Sequence, residues 1–275
     1  YQSKTGVGYQ MRTALIGATG FVGSNLRNQY AFDDFFRRAD IQEISKKSYN
    51  MAVCAGAPGV KWKANADPDG DRQEIDRLVS ALRSARIGTL VLISTIDVYP
   101  SPNGVNETSP VDPPANHPYG RHRYELETFV RDAFSNHLIV RLPALFGAGI
   151  KKNVIFDLIE DHQTDKINPL AQFQYYCLDR LWNDLMKALA LGLETLNLST
   201  APIKTAEIVK AFFPERKIGP PQEPAAFYDM QSVHASLWPT TGKNGYLYTS
   251  DCVMEWLELF LQQCKRDRYQ PNRNQ

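Results

Sequence analysis

Three glycines, each three residues after the last, stand directly behind the first apolar segment of the chain. Thr13 to Ile16 is a short apolar run, and Phe21 to Gln29 has the spacing of a helix. A residue without a Cβ lets the backbone approach a pyrophosphate, and the unpaired N–H groups at the start of a helix attract an anion. This context of strand, turn and helix predicts a dinucleotide site; the alternative is a tight turn with a structural role only. The residues assigned to the cofactor in this segment are Gly17, Thr19, Gly20, Phe21, Val22 and Gly23.

Apolar segments typical of strands alternate with segments of helical spacing as far as about residue 200. The predicted strands after the first are 51–57, 89–93, 137–142 and 195–198, and the predicted helices after the first are 73–84, 119–134 and 178–191. Parallel strands need a crossover connection, which is usually a helix. The sequence therefore predicts an α/β fold with a doubly wound, Rossmann-type parallel sheet. The end of the predicted strand 51–57 supplies three more cofactor candidates, Ala55, Gly56 and Ala57.

The regular alternation weakens at 151–173 and again after residue 200, where prolines become frequent. We expect 11–150 and 174–200 to form the dinucleotide-binding domain. Residues 151–173 and 201–264 are expected to form a small substrate-binding lobe that a helix at 251–263 closes. The polar, aperiodic ends, 1–10 and 265–275, are expected to be a flexible leader and a flexible tail.

Charge and cysteine usage exclude several classes of partner. The 31 Lys and Arg residues and 30 Asp and Glu residues give a net charge of +1, which does not favour binding to a nucleic acid. No apolar run approaches the roughly 18 to 20 residues of a membrane-spanning helix, so no membrane partner is expected. The N-terminal pattern is not that of a signal peptide and the four cysteines form no CxxC pair, which predicts a cytoplasmic protein. The five histidines lack metal-ligand spacing, and no metal site is expected.

The form of the cofactor depends on residues about twenty positions after the glycine turn. An acid there binds the adenine ribose hydroxyls, whereas an arginine accommodates a 2′-phosphate. Arg37 and Arg38 occupy this region, which favours NADP(H) and leaves NAD(H) possible; the alternative is two solvated arginines. Asp40 and Ile41 follow, where the carboxylate would accept a hydrogen bond from the adenine amino group or lie in a solvated loop.

A threonine and a tyrosine carry the predicted acid–base chemistry. Thr95 lies just beyond the buried strand 89–93, at the sheet edge where open α/β folds bind their ligands. Tyr119 opens a helix after Pro118, and Arg123 lies four residues later on the same helix face. A fixed cation lowers the pKa of a tyrosine from its usual value of about 10. We therefore expect Tyr119 to act as a general acid or base and Thr95 to bind the same substrate oxygen; the alternatives are a half-buried tyrosine and a solvated arginine.

These motifs together resemble the extended short-chain dehydrogenase/reductase family of nucleotide-sugar epimerases, dehydratases and 4-keto-sugar reductases. The resemblance covers roughly residues 11–198. The glycine turn matches the family's GxxGxxG, Ser94 to Tyr99 resembles its Ser-Thr-x-x-Val-Tyr, and Pro118-Tyr119-Gly120 resembles the start of its Pro-Tyr-Gly-x-x-Lys helix. The resemblance implies that Thr95 takes the hydroxyl role and that Tyr119 is the catalytic acid or base.

Further contacts follow from the same resemblance. Residues 141–147 are similar to a family segment that borders the nicotinamide, which implies cofactor contacts for Pro143 and Leu145. Asn153 is similar to an asparagine that touches the substrate diphosphate, and a helix N-cap is an equal alternative. Lys152 beside it is a substrate candidate if the substrate is anionic, and a solvated lysine otherwise. Gln172 is the third substrate candidate.

Three positions depart from the family pattern. Arg123 replaces the lysine that holds the nicotinamide ribose and lowers the tyrosine pKa, and arginine is bulkier and planar. Asp97 falls where the dehydratases have a catalytic Glu, but Ile96 replaces their preceding Asp, so full dehydratase chemistry is not expected. Gln172 replaces the arginine that grips the substrate, which argues against a nucleotide-diphosphate sugar.

The sequence therefore predicts an NAD(P)-dependent oxidoreductase or epimerase-type enzyme for a sugar or nucleotide-sugar. The alternative is an NAD(P)-binding sensor or scaffold without turnover, and Arg123 and Gln172 motivate it. A homodimer is possible through the helix that carries Tyr119 and a neighbouring helix.

Overall fold

The computed structural model describes residues 11–238 and 245–269. The expected leader at 1–10 lies outside these residues. Of the expected tail at 265–275, residues 265–269 continue the last helix, and the others lie outside the described residues.

The regular elements are short strands and mostly amphipathic helices. The strands are β1 (Thr13–Ile16), β2 (Asp34–Phe36), β3 (Ser48–Cys54), β4 (Arg86–Thr95), β5 (Asn103–Val105), β6 (His137–Leu142), β7 (Ala144–Phe146), β8 (Gln172–Phe173), β9 (Tyr175–Cys177), β10 (Thr195–Asn197), β11 (Ile203–Lys204) and β12 (Asp229–Met230). The helices are α1 (Phe21–Gln29), α2 (Lys61–Ala66), α3 (Pro68–Ser84), α4 (Pro118–Ala133), α5 (Val154–Glu160), α6 (Leu181–Ala190), α7 (Thr205–Phe212) and α8 (Ser250–Tyr269).

Six strands form one parallel sheet in the order β10-β6-β4-β3-β1-β2. The chain runs from β1 to β2 on one side and continues with β3, β4, β6 and β10 on the other. The strand order therefore reverses at β1, and the crevice at the carboxyl ends of β1 and β3 is the usual ligand position in such sheets. The predicted doubly wound, Rossmann-type fold is confirmed.

Both faces of the sheet are apolar and covered by helices. Along the central strands, Leu15 and Val53 belong to a cluster that includes residues of α1 and α6. Their neighbours Ile16 and Cys54 belong to a second cluster that includes residues of α3 and α4. Successive side chains of a strand point to opposite faces, so a continuously apolar strand needs cover on both sides.

A third apolar cluster lies beyond the carboxyl edge of the main sheet. It joins residues of β7, β9, α5, α7 and α8, with Phe146, Tyr175, Ile203 and Leu257 among its buried members. Short two-stranded pairings, β11 with β8 and β7 with β9, connect these segments. This cluster borders the carboxyl edge of the main sheet, because β7 follows β6 after a single residue.

Several element boundaries differ from the sequence prediction, and two of the differences bear on the carboxyl edge and on α3. The strand predicted at 51–57 ends at Cys54, which leaves Ala55, Gly56 and Ala57 as a loop at the carboxyl edge. The helix predicted from residue 73 begins at Pro68, because the Asp67 side chain accepts a hydrogen bond from the Gly70 N–H and caps it. No helix of the described residues is long and apolar enough to cross a membrane.

Candidate active site

A cavity of about 860 Å³ opens at the carboxyl ends of β1, β3 and β4. It extends from the glycine turn to residues of the third cluster. Of the residues predicted from the sequence, it is lined by Gly17, Thr19, Gly20, Phe21, Val22, Arg37, Arg38, Ile41, Ala55, Gly56, Ala57, Thr95, Asp97, Tyr119, Arg123, Pro143, Leu145, Lys152 and Asn153. Gly23, Asp40 and Gln172 do not line it.

The glycine turn brings the start of α1 to the cavity. Gly17 has a φ of 82°, and a Cβ on it would lie 2.3 Å from the Ala55 carbonyl oxygen, so only glycine fits. Gly20 is the N-cap and provides no side chain to the first N–H groups of α1, which are left available for an anion. Gly23 has a different role from the one predicted: a Cβ there would lie 2.1 Å from the Gly17 carbonyl oxygen, so it lets the helix pack on the turn.

Arginines surround one carboxylate at the β2 side of the cavity. Arg38 forms an ion pair with Glu74 of α3, and Arg77 donates to the same carboxylate at 3.1 and 3.2 Å. Arg37 is two-thirds exposed and lies beside them. Asp40 does not face the cavity; it accepts hydrogen bonds from the backbone and side chain of Arg37 and stabilises the turn after β2. The three arginines outnumber the two carboxylates paired with them, Glu74 and Asp40, so this group carries a net positive charge.

Thr95 and Asp97 occupy the end of β4. The Thr95 hydroxyl accepts the Asp97 N–H at 3.1 Å, which caps a short 3₁₀ turn at Ile96–Val98. The Asp97 carboxylate forms an ion pair with the Lys61 ammonium at 2.7 Å. Burial lowers the pKa of Lys61, but Asp97 and the hydroxyl of Tyr228 more than offset this and hold it above its ordinary value. Lys61 therefore remains charged beside the threonine.

Tyr119 lies in the first turn of α4, and two residues fix that turn. Its N–H donates to the Asn65 side chain at 3.0 Å, and the Gly120 N–H donates to the His117 ring at 3.0 Å. The ring of Tyr119 is buried, with 8% of the residue exposed, and its hydroxyl interacts with the Thr95 hydroxyl. The sequence pattern placed these two side chains at one sheet edge, and the structure places both on the wall of the same cavity.

The direction of the Tyr119 pKa shift differs from the prediction. Burial raises the pKa of Tyr119 above its ordinary value, and the charge of Arg123 and the hydrogen bond with Thr95 offset only part of that rise. The nearby cation alone would lower the pKa of Tyr119, but the loss of water around the buried phenol raises it by more. Tyr119 is therefore a neutral phenol that can donate a proton at neutral pH.

Both terminal nitrogens of the Arg123 guanidinium are hydrogen-bonded within the protein. Its guanidinium donates to both oxygens of Asp71, one at 2.8 Å, and to the Pro58 carbonyl oxygen. Its central carbon lies 4.0 Å from the centre of the Tyr119 ring, so the cation stacks on the ring face. The sequence alternative of a solvated arginine is thus wrong. Only its buried Nε lacks a hydrogen-bond partner among the described residues.

Asp71 is the counterion that holds Arg123. Burial alone would raise the pKa of the Asp71 carboxyl, but hydrogen bonds from Arg123 and His122 hold it below its ordinary value. The His122 ring contacts the same carboxylate at 2.8 Å. The three side chains form one buried polar cluster between α3 and α4.

A second buried polar cluster fixes α4 against the sheet. The Glu127 carboxylate accepts the Ser94 hydroxyl at 2.6 Å and two N–H groups of Arg141, at 3.0 and 2.6 Å. Ser94 directly precedes Thr95 on β4, and Glu127 is two turns after Tyr119 on α4. This network therefore sets the position of α4 relative to Thr95.

At the far end of the cavity, fewer of the predicted substrate-binding residues are available to a ligand than the sequence suggested. Asn153 caps α5 through its side-chain oxygen and donates to the Leu145 carbonyl at 2.8 Å, so its amide is occupied. Gln172 lies in β8, pairs with β11 and does not reach the cavity. Lys152 does line it and donates to the Gly59 carbonyl across the opening. Aromatic side chains complete this end: Phe173, Tyr175 and Tyr228.

Several lining residues were not predicted from the sequence. Lys61, Glu74, Arg77, Tyr175 and Tyr228 belong to elements outside the recognisable motifs. No local pattern distinguishes Lys61 from any other lysine at the start of a helix. Glu74 and Arg77 lie three residues apart on α3, which is a weak signal of a shared helix face and nothing more.

A family model described as the NAD dependent epimerase/dehydratase family matches residues 25–176, more than half of the chain. The chain belongs to this family. The match begins within α1 and includes both Thr95 and Tyr119. The epimerase/dehydratase family is part of the extended short-chain dehydrogenase/reductases, so the resemblance seen in the motifs is confirmed.

Solved structures share the family fold at low sequence identity. A dTDP-4-dehydrorhamnose reductase from Bacillus anthracis, in complex with NADP, is 19% identical with a TM-score of 0.72 over 94% of this chain and 100% of that chain. A UDP-glucose 4-epimerase from Thermotoga maritima, with UDP-glucose, is 14% identical with a TM-score of 0.70 over 93% and 99%. A dTDP-glucose 4,6-dehydratase from Streptomyces venezuelae, with NAD and TYD bound, is 15% identical with a TM-score of 0.69 over 92% and 97%. No curated protein sequence matches the chain.

Proposed function

We propose that this epimerase/dehydratase family member transforms a sugar or sugar derivative by hydride transfer, with Tyr119 as the general acid or base. The observation that carries the proposal is that Tyr119 and Thr95 line the same end of the cavity that begins at the glycine turn, with the Thr95 hydroxyl near enough to lower the pKa of the phenol. An acid–base pair at the far side of a dinucleotide-type turn fits a redox reaction on a carbinol or carbonyl carbon.

The described residues fit a nicotinamide dinucleotide. The backbone at Gly17 and the uncapped start of α1 suit a pyrophosphate, and the arginines beside Glu74 suit the adenosine end. The orphaned Nε of Arg123 is a buried donor suited to a ribose hydroxyl. When bound, the dinucleotide supplies or accepts a hydride at the substrate carbon.

The chain's own residues then handle the oxygen and its proton. Tyr119 is protonated at neutral pH, because burial raises its pKa, and it donates that proton to the substrate oxygen as a carbonyl is reduced. The Thr95 hydroxyl binds the same oxygen and fixes its direction. Ile96 offers no second carboxyl group for an elimination. We therefore favour net reduction or epimerisation over dehydration.

Binding and turnover can be measured separately. We expect NADPH fluorescence to report saturable binding, and a panel of keto-sugars to include at least one whose addition oxidises NADPH at 340 nm. Tight NADPH binding with no turnover on any member of the panel would favour the sensor or scaffold, for which the occupied guanidinium of Arg123 is the supporting observation.

We also propose that NADP(H) is preferred over NAD(H). Replacing both Arg37 and Arg38 by Ala is expected to weaken NADPH binding about 10- to 100-fold and to change NADH binding much less, because a hydrogen bond to a charged group is worth about 1.5–3 kcal/mol. Fluorescence titration of both cofactors measures the difference. An Arg83→Ala variant is a suitable control, since Arg83 lies on α3 outside the cavity. Equal losses for the two cofactors would refute the preference.

Two further features of the molecule are proposed here. The third cluster, with the segments 151–173 and 201–264, is proposed to serve as the substrate-binding lobe, because Lys152, Asn153 and Phe173 line the cavity from that side. Homodimerisation through α4 and the neighbouring α3 remains a prediction, and light scattering on the purified protein tests it.

A further inference from the structure

The cations of the cavity are unevenly distributed. Three of the six that line it, Arg37, Arg38 and Arg77, lie at the β2 side around Glu74. A fourth, Arg123, is neutralised by Asp71. The other two, Lys61 and Lys152, lie at the end that contains Thr95 and Tyr119.

Both lysines act near the reacting groups. Lys61 forms its ion pair with Asp97, two residues after Thr95, and its charge also reaches Tyr119. The Asp97 carboxylate is close enough to Lys152 to oppose the lowering of its pKa by burial. Two ammonium groups and one carboxylate leave a single positive charge beside the acid–base pair.

Lys152 carries that uncompensated charge. No carboxylate of the described residues lies within ion-pair distance of it, and its recorded hydrogen bond is to the Gly59 carbonyl oxygen at the cavity opening. Asn153, the next residue, is fixed at both ends of its amide, which holds the backbone of Lys152 in place. The Lys152 ammonium is exposed at the cavity opening and has no carboxylate partner, and a bound anion would supply one.

Apart from Lys152, the residues that line this end of the cavity beside the third cluster offer no cation for a diphosphate group. Phe173, Tyr175 and Tyr228 are aromatic. The side-chain amide of Gln174 is hydrogen-bonded to the backbone of Thr200 and Met230. The buried Tyr175 hydroxyl lacks a partner among the described residues, which leaves a neutral donor at this end. These contacts suit a sugar ring better than a nucleotide.

We infer that the substrate is a sugar acid that carries one carboxylate on the sugar itself, with Lys152 as its principal ligand. The inference rests on the proposed function and specifies its substrate class. The single net charge matches one carboxylate, and the position of the lysines places that group next to the reacting carbon instead of at the end of a long nucleotide.

The test compares derivatives of one sugar that carry no charge, a carboxylate, a phosphate or a nucleoside diphosphate. NADPH-saturated protein is titrated calorimetrically with glucose, glucuronate, glucose 6-phosphate and UDP-glucose, and with the corresponding galactose series. We expect the acid of one series to bind about 10- to 100-fold more tightly than its neutral sugar, and Lys152→Gln to remove that preference. Lys151→Gln is the matched control, because Lys151 is exposed like Lys152 but does not line the cavity.

Other outcomes overturn the inference. Equal binding of acid and neutral sugar, tightest binding of the UDP-sugars, binding of neither acid, or a preference that survives in Lys152→Gln would each do so. Tightest binding of a sugar phosphate would overturn the assignment of a carboxylate. NADPH binding and turnover of neutral keto-sugars are followed on the same protein, so the proposed function can stand when the inference about the acid fails.

Discussion

A Tyr119→Phe variant is expected to bind NADPH normally and to lose about 100- to 10,000-fold in kcat/KM. The substitution removes only the phenol hydroxyl that faces the cavity beside Thr95, and general acid–base catalysis typically contributes a factor of this size. The buried ring and its stacking on Arg123 are retained, so the fold should not change. The measurement is steady-state oxidation of NADPH with the best substrate of the keto-sugar panel.

Tyr124→Phe provides the control for that experiment. Tyr124 lies on the same helix and does not line the cavity, so removing its hydroxyl should leave kcat/KM unchanged. A Tyr119→Phe enzyme with wild-type turnover would show that another group transfers the proton, and the proposed mechanism would then be wrong.

An Asp71→Ala variant is expected to lose about 3–5 kcal/mol of unfolding free energy, because it leaves the buried guanidinium of Arg123 without its counterion. Only 3% of each side chain is exposed, so water cannot replace the carboxylate. The His122 ring loses its partner at the same time. Urea unfolding followed by circular dichroism measures the loss.

Asp76→Ala is the matched control for Asp71→Ala. Asp76 lies on α3 as well but is exposed, and its removal should change the unfolding free energy by no more than about 0.5 kcal/mol. Similar effects of the two substitutions would mean that the buried cluster contributes little to stability.

The fold could be predicted from the sequence because the patterns that indicate it are local. The apolar runs of β1, β3 and β4 are buried on both sides, and the glycine turn is confined to seven residues between a strand and a helix. Thr95 and Tyr119 could also be placed, because the carboxyl ends of parallel strands meet at one edge and Tyr119 opens the helix that returns there.

The electrostatics of the site could not be predicted in the same way. The counterion of Arg123 is 52 residues away in the sequence, and Lys61 reaches Asp97 across 36 residues. Burial also decides the direction of the Tyr119 pKa shift, and burial depends on packing that no single motif contains. Long-range partners and loss of solvent thus account for the differences at the site.

The bidentate contact between Arg123 and Asp71 also constrains how this position can evolve. A lysine at 123 supplies one ammonium in place of a planar fork, so it cannot make both contacts with Asp71 and also donate to the Pro58 carbonyl. A mutational route from this arginine to the lysine of the family pattern therefore passes through a less stable intermediate, unless the partners change with it. We expect the two positions to be epistatic, so that the residue at one of them restrains change at the other.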